Sequence, residues 1–567
     1  MDLRVMHPTG AIPRVELRAG TESRSRALEI GLGLIVIIVP LAFLPMSMGP
    51  FLDVKVVVLL AGALVLWRWY PGGSKLGVPA ALWVGTVAVA GVFGVDRWWS
   101  VVGPENIGNG LLLLGPSALI LVAATRVPEA FRLRIPLWLA GTSAIVASVA
   151  LVSKVWPRLP IGEAFVLPLD GGTLIHPVFM ATFVAVGIVA VVGLPTMSAR
   201  ILAPLLVLLS SAVALSTKRV GWVALAVGLA LALWKTRPPR NRVVLVLGVV
   251  AATMTAWTAI DAVLTPSASL SGARRFGELG AGSSSSRVGA WTALSRGWGD
   301  RPVFGWGPGN TWSAYVAAGI PSQLRVERGY GDSHNIVIEM AVTTGIVGVG
   351  AFLLLAGFTI REMRKGSPPV GWAAGAAAAL FVHHLIQPLN VVLTPLLFLT
   401  AGLACVPPAA AERRGGAAAG IRAPRVRRFA RGFVGVLLGA GLLVAVAVLV
   451  SSVLERYGRT YASESALRTS LQVYPGRITA GEALAMSLAL DARSGDAEAG
   501  VEAGELIARM VRLHPWNPGV RLVAADVHTL MRDPAGAAEW TKRHFARFPK
   551  DVSKPRRTGD EPPSGRL

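Results

Sequence analysis

"GYGDSHNIVIEMAVTTGIVGVG", residues 329–350, sets a knot of turn-forming and titratable residues directly against an apolar run. From 336 to about 359 the only charged side chain is Glu339, and the run is long enough to cross a bilayer, which takes ~20 residues. The stretch therefore reads as a membrane helix with a histidine at its mouth. Runs of the same character recur at 27–49, 54–71, 78–95, 110–125, 136–155, 174–195, 200–216, 220–234, 242–264, 370–388, 390–407 and 432–453. About 12–13 transmembrane helices follow, and the fold class is an all-α polytopic membrane protein. Composition agrees. Of 567 residues 53% are hydrophobic and 15% charged, more apolar sequence than one water-soluble core takes up.

Lys and Arg number 55 against 32 Asp and Glu, a net charge of +23. Such a surplus suits nucleic acid when it lines a groove. Here it sits in short connectors at 68–75, 126–134, 235–242, 361–365 and 413–431, whereas 46–53, 156–173 and 389–390 carry little of it. That asymmetry is the positive-inside pattern, so the N-terminus is placed in the cytoplasm and no nucleic-acid partner is expected. The one cysteine, Cys405, excludes an intrachain disulfide and lies in an apolar run. The sequence divides into a cytoplasmic segment 1–26, helices one to nine over 27–264, a large extracytoplasmic loop 265–335, helices ten to thirteen over 336–453, a helical domain 454–552 and a disordered tail 553–567. Within 454–552, "VYP", "LHP" and "RFP" place Pro475, Pro515 and Pro549 40 and 34 residues apart, close to the ~34-residue period of tetratricopeptide repeats.

Several charged or polar residues gather on the face assigned to the outside. Arg219, with Lys218 beside it, lies in a short turn between two apolar runs and breaks the charge asymmetry; lipid-facing snorkelling is the alternative. Arg287 opens an amphipathic stretch with Trp291 four residues on. His334 follows Asp332 and Ser333, either of which makes a natural helix cap, so it is expected in the first helical turn, where the dipole keeps imidazole neutral and basic. Glu339, deeper in the same helix, is expected to pair with a loop arginine. His383 and His384 point about 100° apart on a helix and make a poor metal pair. The glycines of "GWGPGN", 305–310, follow no strand and form a turn, not a nucleotide cradle.

At "SRVGAWTALSRGWGDRPVFGWGPGNTWSAYV" and "DSHNIVIEMAVTTGIVGVG" the chain resembles the O-antigen ligase and polymerase family of membrane glycosyltransferases. The matching order is Arg287, Trp291, Pro302 with Gly305, Gly307 and Gly309, then His334 and Asn335, then Gly345 with Gly348. Thr343 departs from it, standing where many members have Glu, and the region after 454 is an addition. The resemblance implies a polyprenyl diphosphate-linked saccharide donor used at the outer face of the inner (plasma) membrane, without metal, nucleotide or other cofactor. It assigns catalysis to His334, Arg287 and Arg219, with Lys218, Asn335 and Trp291 binding substrate. In that chemistry the arginines stabilise the diphosphate leaving group and His334 takes the acceptor's hydroxyl proton, inverting the anomeric centre. A glycolipid, a glycan or a protein side chain fits as acceptor, so ligase, polymerase and protein O-glycosylation ligase stay open, and the C-terminal helices offer a surface for a protein partner. A transporter or flippase of lipid-linked saccharides is the competing class. It would place its charges mid-span within inverted repeats.

Overall fold

The computed structural model describes residues 25–105, 107–155, 158–160, 166–168, 171–174, 176–264, 283–318, 331–406 and 424–548. Residues 1–24 of the segment 1–26 expected in the cytoplasm, most of the glycine- and serine-rich part of the loop, and the tail 553–567 lie outside them. Helix α1 covers 25–41 and passes through a π-helical turn at Leu34–Ile38. It leads to α2 (Asp53–Trp69), α3 (Gly77–Val92), the short α4 (Arg97–Val102), α5 (Leu111–Ala124) and α6 (Arg134–Val155). Among the described residues one small antiparallel strand pair, β1 (Arg158–Pro160) with β2 (Val166–Pro168), stands among the helices. Helices α7 (Pro177–Val191), α8 (Ala199–Leu215), α9 (Arg219–Thr236) and α10 (Arg240–Leu264) complete the first half. Then come α11 (Ser283–Asp300), α12 (Thr311–Ala318), α13 (Ile336–Arg364), α14 (Gly371–His384), α15 (Leu393–Ala404) and the long α16 (Pro424–Thr460).

Each apolar run singled out in the sequence overlaps one of these helices, but their lengths differ in a way that has a cause. Five are long and apolar enough to cross a bilayer, namely 134–153 of α6, α9, 240–260 of α10, α13, and 431–460 of α16. The chain is a multi-pass membrane protein. Shorter apolar helices such as α7 and α15 are buried along nearly their whole length, so protein and not lipid surrounds them. By contrast, only 17% of the apolar windows of α10 and α16 is buried, as expected of lipid-facing helices. α9 lies against α7 and α14, α5 against α15, α13 against α3, and α16 against α2.

Hydrogen bonds sort the connectors to two ends of this array. At one end Lys75 pairs with Glu362 at 3.7 Å, Arg126 donates to the Gly73 carbonyl, Lys235 to the Met363 carbonyl at 3.0 Å, and Arg242 to the Pro195 carbonyl at 2.9 Å. These are the basic connectors. At the other end the loops before α2, between α4 and α5, before α7, before α13 and before α15 meet around one cavity.

The C-terminal region sits on that second end. It comprises α17 (Glu464–Val473), α18 (Ile478–Ser494), α19 (Ala497–Leu513), α20 (Pro518–Leu530) and α21 (Pro534–Arg547), joined by short turns around a separate apolar core. Tyr474, His514 and Phe548, each preceding a proline in sequence, are the buried C-caps of α17, α19 and α21. Proline disfavours helix in the residue before it, which fixes these ends.

Candidate active site

The loop Gly331–Asn335 carries the histidine, and two buried carboxylates hold it. Asp332 Oδ1 accepts the His334 N–H at 2.7 Å, while Oδ2 accepts from Leu389 N at 3.2 Å and Asn109 Nδ2 at 3.3 Å. Glu339 Oε1 accepts from Thr311 Oγ1 at 2.6 Å and Asn109 Nδ2 at 3.1 Å, and its Oε2 from Ser333 N at 2.9 Å. Among the described residues the partners of Glu339 are neutral donors, and the loop arginines Arg274, Arg275, Arg325 and Arg328, on which the expected pairing could fall, lie outside them. Burial pushes the Asp332 carboxyl above its ordinary range, and the His334 ring and the three donors pull it back.

The helix cap also differs from expectation. Asn335, not Asp332 or Ser333, caps α13, its Oδ1 accepting from Val337 N and Ile338 N at 2.9 and 3.1 Å. His334 thus precedes the helix and adopts φ +56°, left-handed backbone that histidine enters more readily than most residues. Its Nδ1 lies 3.1 Å from the Asp332 carbonyl oxygen. A carbonyl only accepts, so Nδ1 carries the proton, and in the neutral ring Nε2 carries the lone pair.

Behind this loop the glycine turn and α13 interlock. Gly345 has φ +65° and ψ −169°, which breaks the helix. The groups freed by the break bond to the turn: Trp306 N to Val342 O at 3.0 Å, Gly307 N to Thr343 O at 2.8 Å, and Ile346 N to Pro302 O at 2.8 Å. A Cβ on Gly345 would lie 2.1 Å from the Val303 oxygen, and one on Gly305 2.5 Å from the Thr343 carbonyl carbon. Thr343, in the position that departs from the family pattern, turns its hydroxyl back to the Glu339 carbonyl at 2.5 Å.

The other residues singled out by sequence divide in two. Trp291 on α11 donates from Nε1 to the Ser333 carbonyl at 2.8 Å, and Asn335 Nδ2 donates to the Leu385 carbonyl at 3.0 Å, so both fix the histidine loop. Arg287 stands one turn before Trp291, half-buried. Arg219 is the first residue of α9 and Lys218 its cap; the adjoining Gly221 touches Ala181 of α7. Neither Arg219 nor Arg287 is among the arginines that pair with a described carboxylate.

His334 opens onto a cavity of about 220 Å³, which Asp332, Asn390, Lys55 and His176 also line, and Arg219, Arg287 and Lys218 do not. That is smaller than the ~300–1,000 Å³ of pockets that enclose a whole drug-sized ligand, so it suits the reacting end of a larger substrate. Lys55 and His176 were not singled out by sequence, although a lone lysine in the apolar run "FLDVKVVVLL" was a signal. A larger apolar cavity of about 740 Å³ lies at the opposite end beside Lys235 and Arg364 and holds none of these residues. His383 and His384 are buried beside Thr182 and Thr394. Among the described residues no three His, Cys, Asp or Glu side chains are grouped to hold a metal ion.

No curated protein and no solved structure matches the chain. The family model Wzy_C, described as O-antigen ligase, matches residues 204–353. The match runs from within α8 to within α13 and takes in Arg219, Arg287, the glycine turn, His334 and the Gly345 break. The match supports the resemblance read from the motif: residues 204–353 of this multi-pass membrane chain are similar to the O-antigen ligase family.

Proposed function

We propose that this protein is a glycosyltransferase that moves a saccharide from a polyprenyl diphosphate carrier to a hydroxyl acceptor at the extracytoplasmic face of the inner membrane. The observation that carries the reading is His334, which lies within the matched residues 204–353, has its Nδ1 held by a carbonyl and lines a cavity. The acceptor oxygen attacks the anomeric carbon, its proton passes to Nε2, and the bond from that carbon to the diphosphate oxygen breaks with inversion. Charge appears on the departing diphosphate. Arg219 and Arg287, at the same end, supply guanidinium forks suited to it, with Lys218 beside Arg219. Trp291 and Asn335 act through the loop that they hold. The positive-inside pattern supports an extracytoplasmic position for this end, and the C-terminal helices, on the same end, offer a surface for an acceptor or a partner protein.

The test is transfer by the purified protein in lipid, with a polyprenyl diphosphate oligosaccharide, EDTA and candidate acceptors, read by product mass. Wild-type product that is lost in folded His334→Ala supports the assignment, and the mass increment identifies the acceptor. Equal product from both removes His334 from the chemistry, and product retaining the donor's anomeric configuration removes the direct displacement.

A further inference from the structure

The cavity of about 740 Å³ at the end of the basic connectors is lined chiefly by α9, α13, α14 and α15, and its charges stand at one end of it. Lys235 and Arg364 lie in the last turns of α9 and α13. From Arg364 the lining follows α13 back to Phe352, ~18 Å of helix at 1.5 Å per residue. Beyond the basic end it is apolar except for Thr359, whose hydroxyl is already given to the Leu355 carbonyl at 2.8 Å. α14 lies against both α9 and α15, whereas α9 and α13 are tied at the basic end, where Lys235 Nζ donates to the Met363 carbonyl at 3.0 Å. Trp234, Ile360 and Phe381 line the cavity and are exposed, so it opens sideways. Both α9 and α13 are long and apolar enough to cross a bilayer, so that opening faces lipid.

We propose that this cavity binds one anionic glycerophospholipid of the cytoplasmic leaflet, its phosphate on Arg364 and Lys235 and an acyl chain along the apolar walls. Depth, charge and level choose that occupant. A hydrocarbon core is ~30 Å thick, so ~18 Å from the charged end reaches about as deep as the chains of one leaflet. None of the lining residues is acidic. Glu362, in the same turn as Arg364, is taken by Lys365 at 2.6 Å and Lys75 at 3.7 Å, and Arg364 is in no ion pair among the described residues. An ammonium has three N–H groups, and the Met363 carbonyl takes one from Lys235. Basic pockets between helices on the cytoplasmic side select anionic headgroups. The exposed Trp234 ring, 5.9 Å from Lys235 Nζ, marks the headgroup level, where tryptophan gathers. The site lies at the opposite end from His334 and does not depend on the transfer reading.

The experiment titrates the full-length protein in detergent with phosphatidylglycerol or phosphatidylcholine of the same acyl chains, and counts bound lipid by mass spectrometry of the intact protein. Wild type should hold one phosphatidylglycerol at least ~10-fold more tightly than phosphatidylcholine, as two basic groups at a headgroup give. Arg364→Gln should cut that preference ~5-fold and leave phosphatidylcholine binding unchanged. Because Arg364 is exposed and in no ion pair among the described residues, this variant reads the site without a folding penalty. Ala378→Phe places a ring in the cavity and should abolish the tight site for either lipid. Equal binding of the two lipids by wild type, or a preference unchanged in Arg364→Gln, overturns the proposal. Undiminished binding by Ala378→Phe at wild-type Tm puts the lipid elsewhere on the surface and does the same. Polyprenyl phosphate held in preference to phosphatidylglycerol would make the saccharide carrier the occupant, which also overturns it.

Discussion

Left-handed backbone at His334 costs on the order of 1–2 kcal/mol, and the Asp332 carboxylate that accepts the His334 N–H is what holds it there. Both Asp332 oxygens face donors, so an amide in its place sets an N–H against an N–H whichever way it turns. Asp332→Asn is expected to lower the transfer rate ~10- to 100-fold by displacing the ring and to change polyprenyl diphosphate binding less than ~3-fold. Rate and binding measured on the same preparation check this, and a wild-type rate would show that the loop holds without the carboxylate. The histidine itself is legible in the sequence, as a polar group entering an apolar run. Its cap is not, because Asp332, Ser333 and Asn335 all cap helices well, and only tertiary donors at Asn109 and Leu389 claim Asp332. Glu339 carries the same lesson, since Thr311 and Asn109 satisfy it from positions that no local pattern connects to it.

At the scale of elements, α13 is broken where the glycine turn crosses it, and the bonds lost inside the helix are recovered from residues 302–307. The sequence displays the two pieces and their order, but nothing in either announces that they hydrogen-bond to each other, because pairing between a loop and a helix break leaves no period. The geometry explains why glycines stand there: φ +65° at Gly345 and φ +69° at Gly305 are joined to backbone approaches that leave no room for a methyl group. Gly345→Ala should therefore displace the turn, cost about 3 kcal/mol or more, and abolish transfer through Trp306, whose Nε1 donates to the Gly297 carbonyl of α11 at 2.7 Å. Thermal unfolding in detergent with a parallel transfer assay measures both effects. An alanine variant with unchanged apparent Tm would mean that the break relaxes to regular helix at no cost.

For the whole molecule, the C-terminal helices are bound to the membrane region by buried polar contacts. His514 Nδ1 lies 2.5 Å from Asp96 Oδ2, the Ile478 N–H donates to Glu105 at 2.7 Å, and Arg477 pairs with Glu455 at 2.7 Å. Trp516 meets Trp306 edge-on, behind the glycine turn. The "VYP", "LHP" and "RFP" spacing makes the helices of this region legible, yet it gives no hint that His514 within one of those tripeptides reaches Asp96. Partner choice between distant surfaces depends on shape and charge together, which periodicity does not encode. Acidic groups are crowded at this junction. Burial, then Glu105, push the Glu482 carboxyl up from 4.5 to about 7, with Arg459 opposing. A carboxyl raised in the folded state favours folding in its protonated form, so its contribution is intact below pH 4.5 and is lost as pH rises through about 7. Glu482→Gln, which mimics the protonated acid, should match wild type near pH 4.5 and exceed it by on the order of 1–3 kcal/mol at pH 8. Apparent Tm across that range decides the matter. A constant difference would locate the effect in packing, whereas a gap that opens between pH 5 and 7 would show that ionisation of one side chain weakens the attachment of the whole C-terminal region.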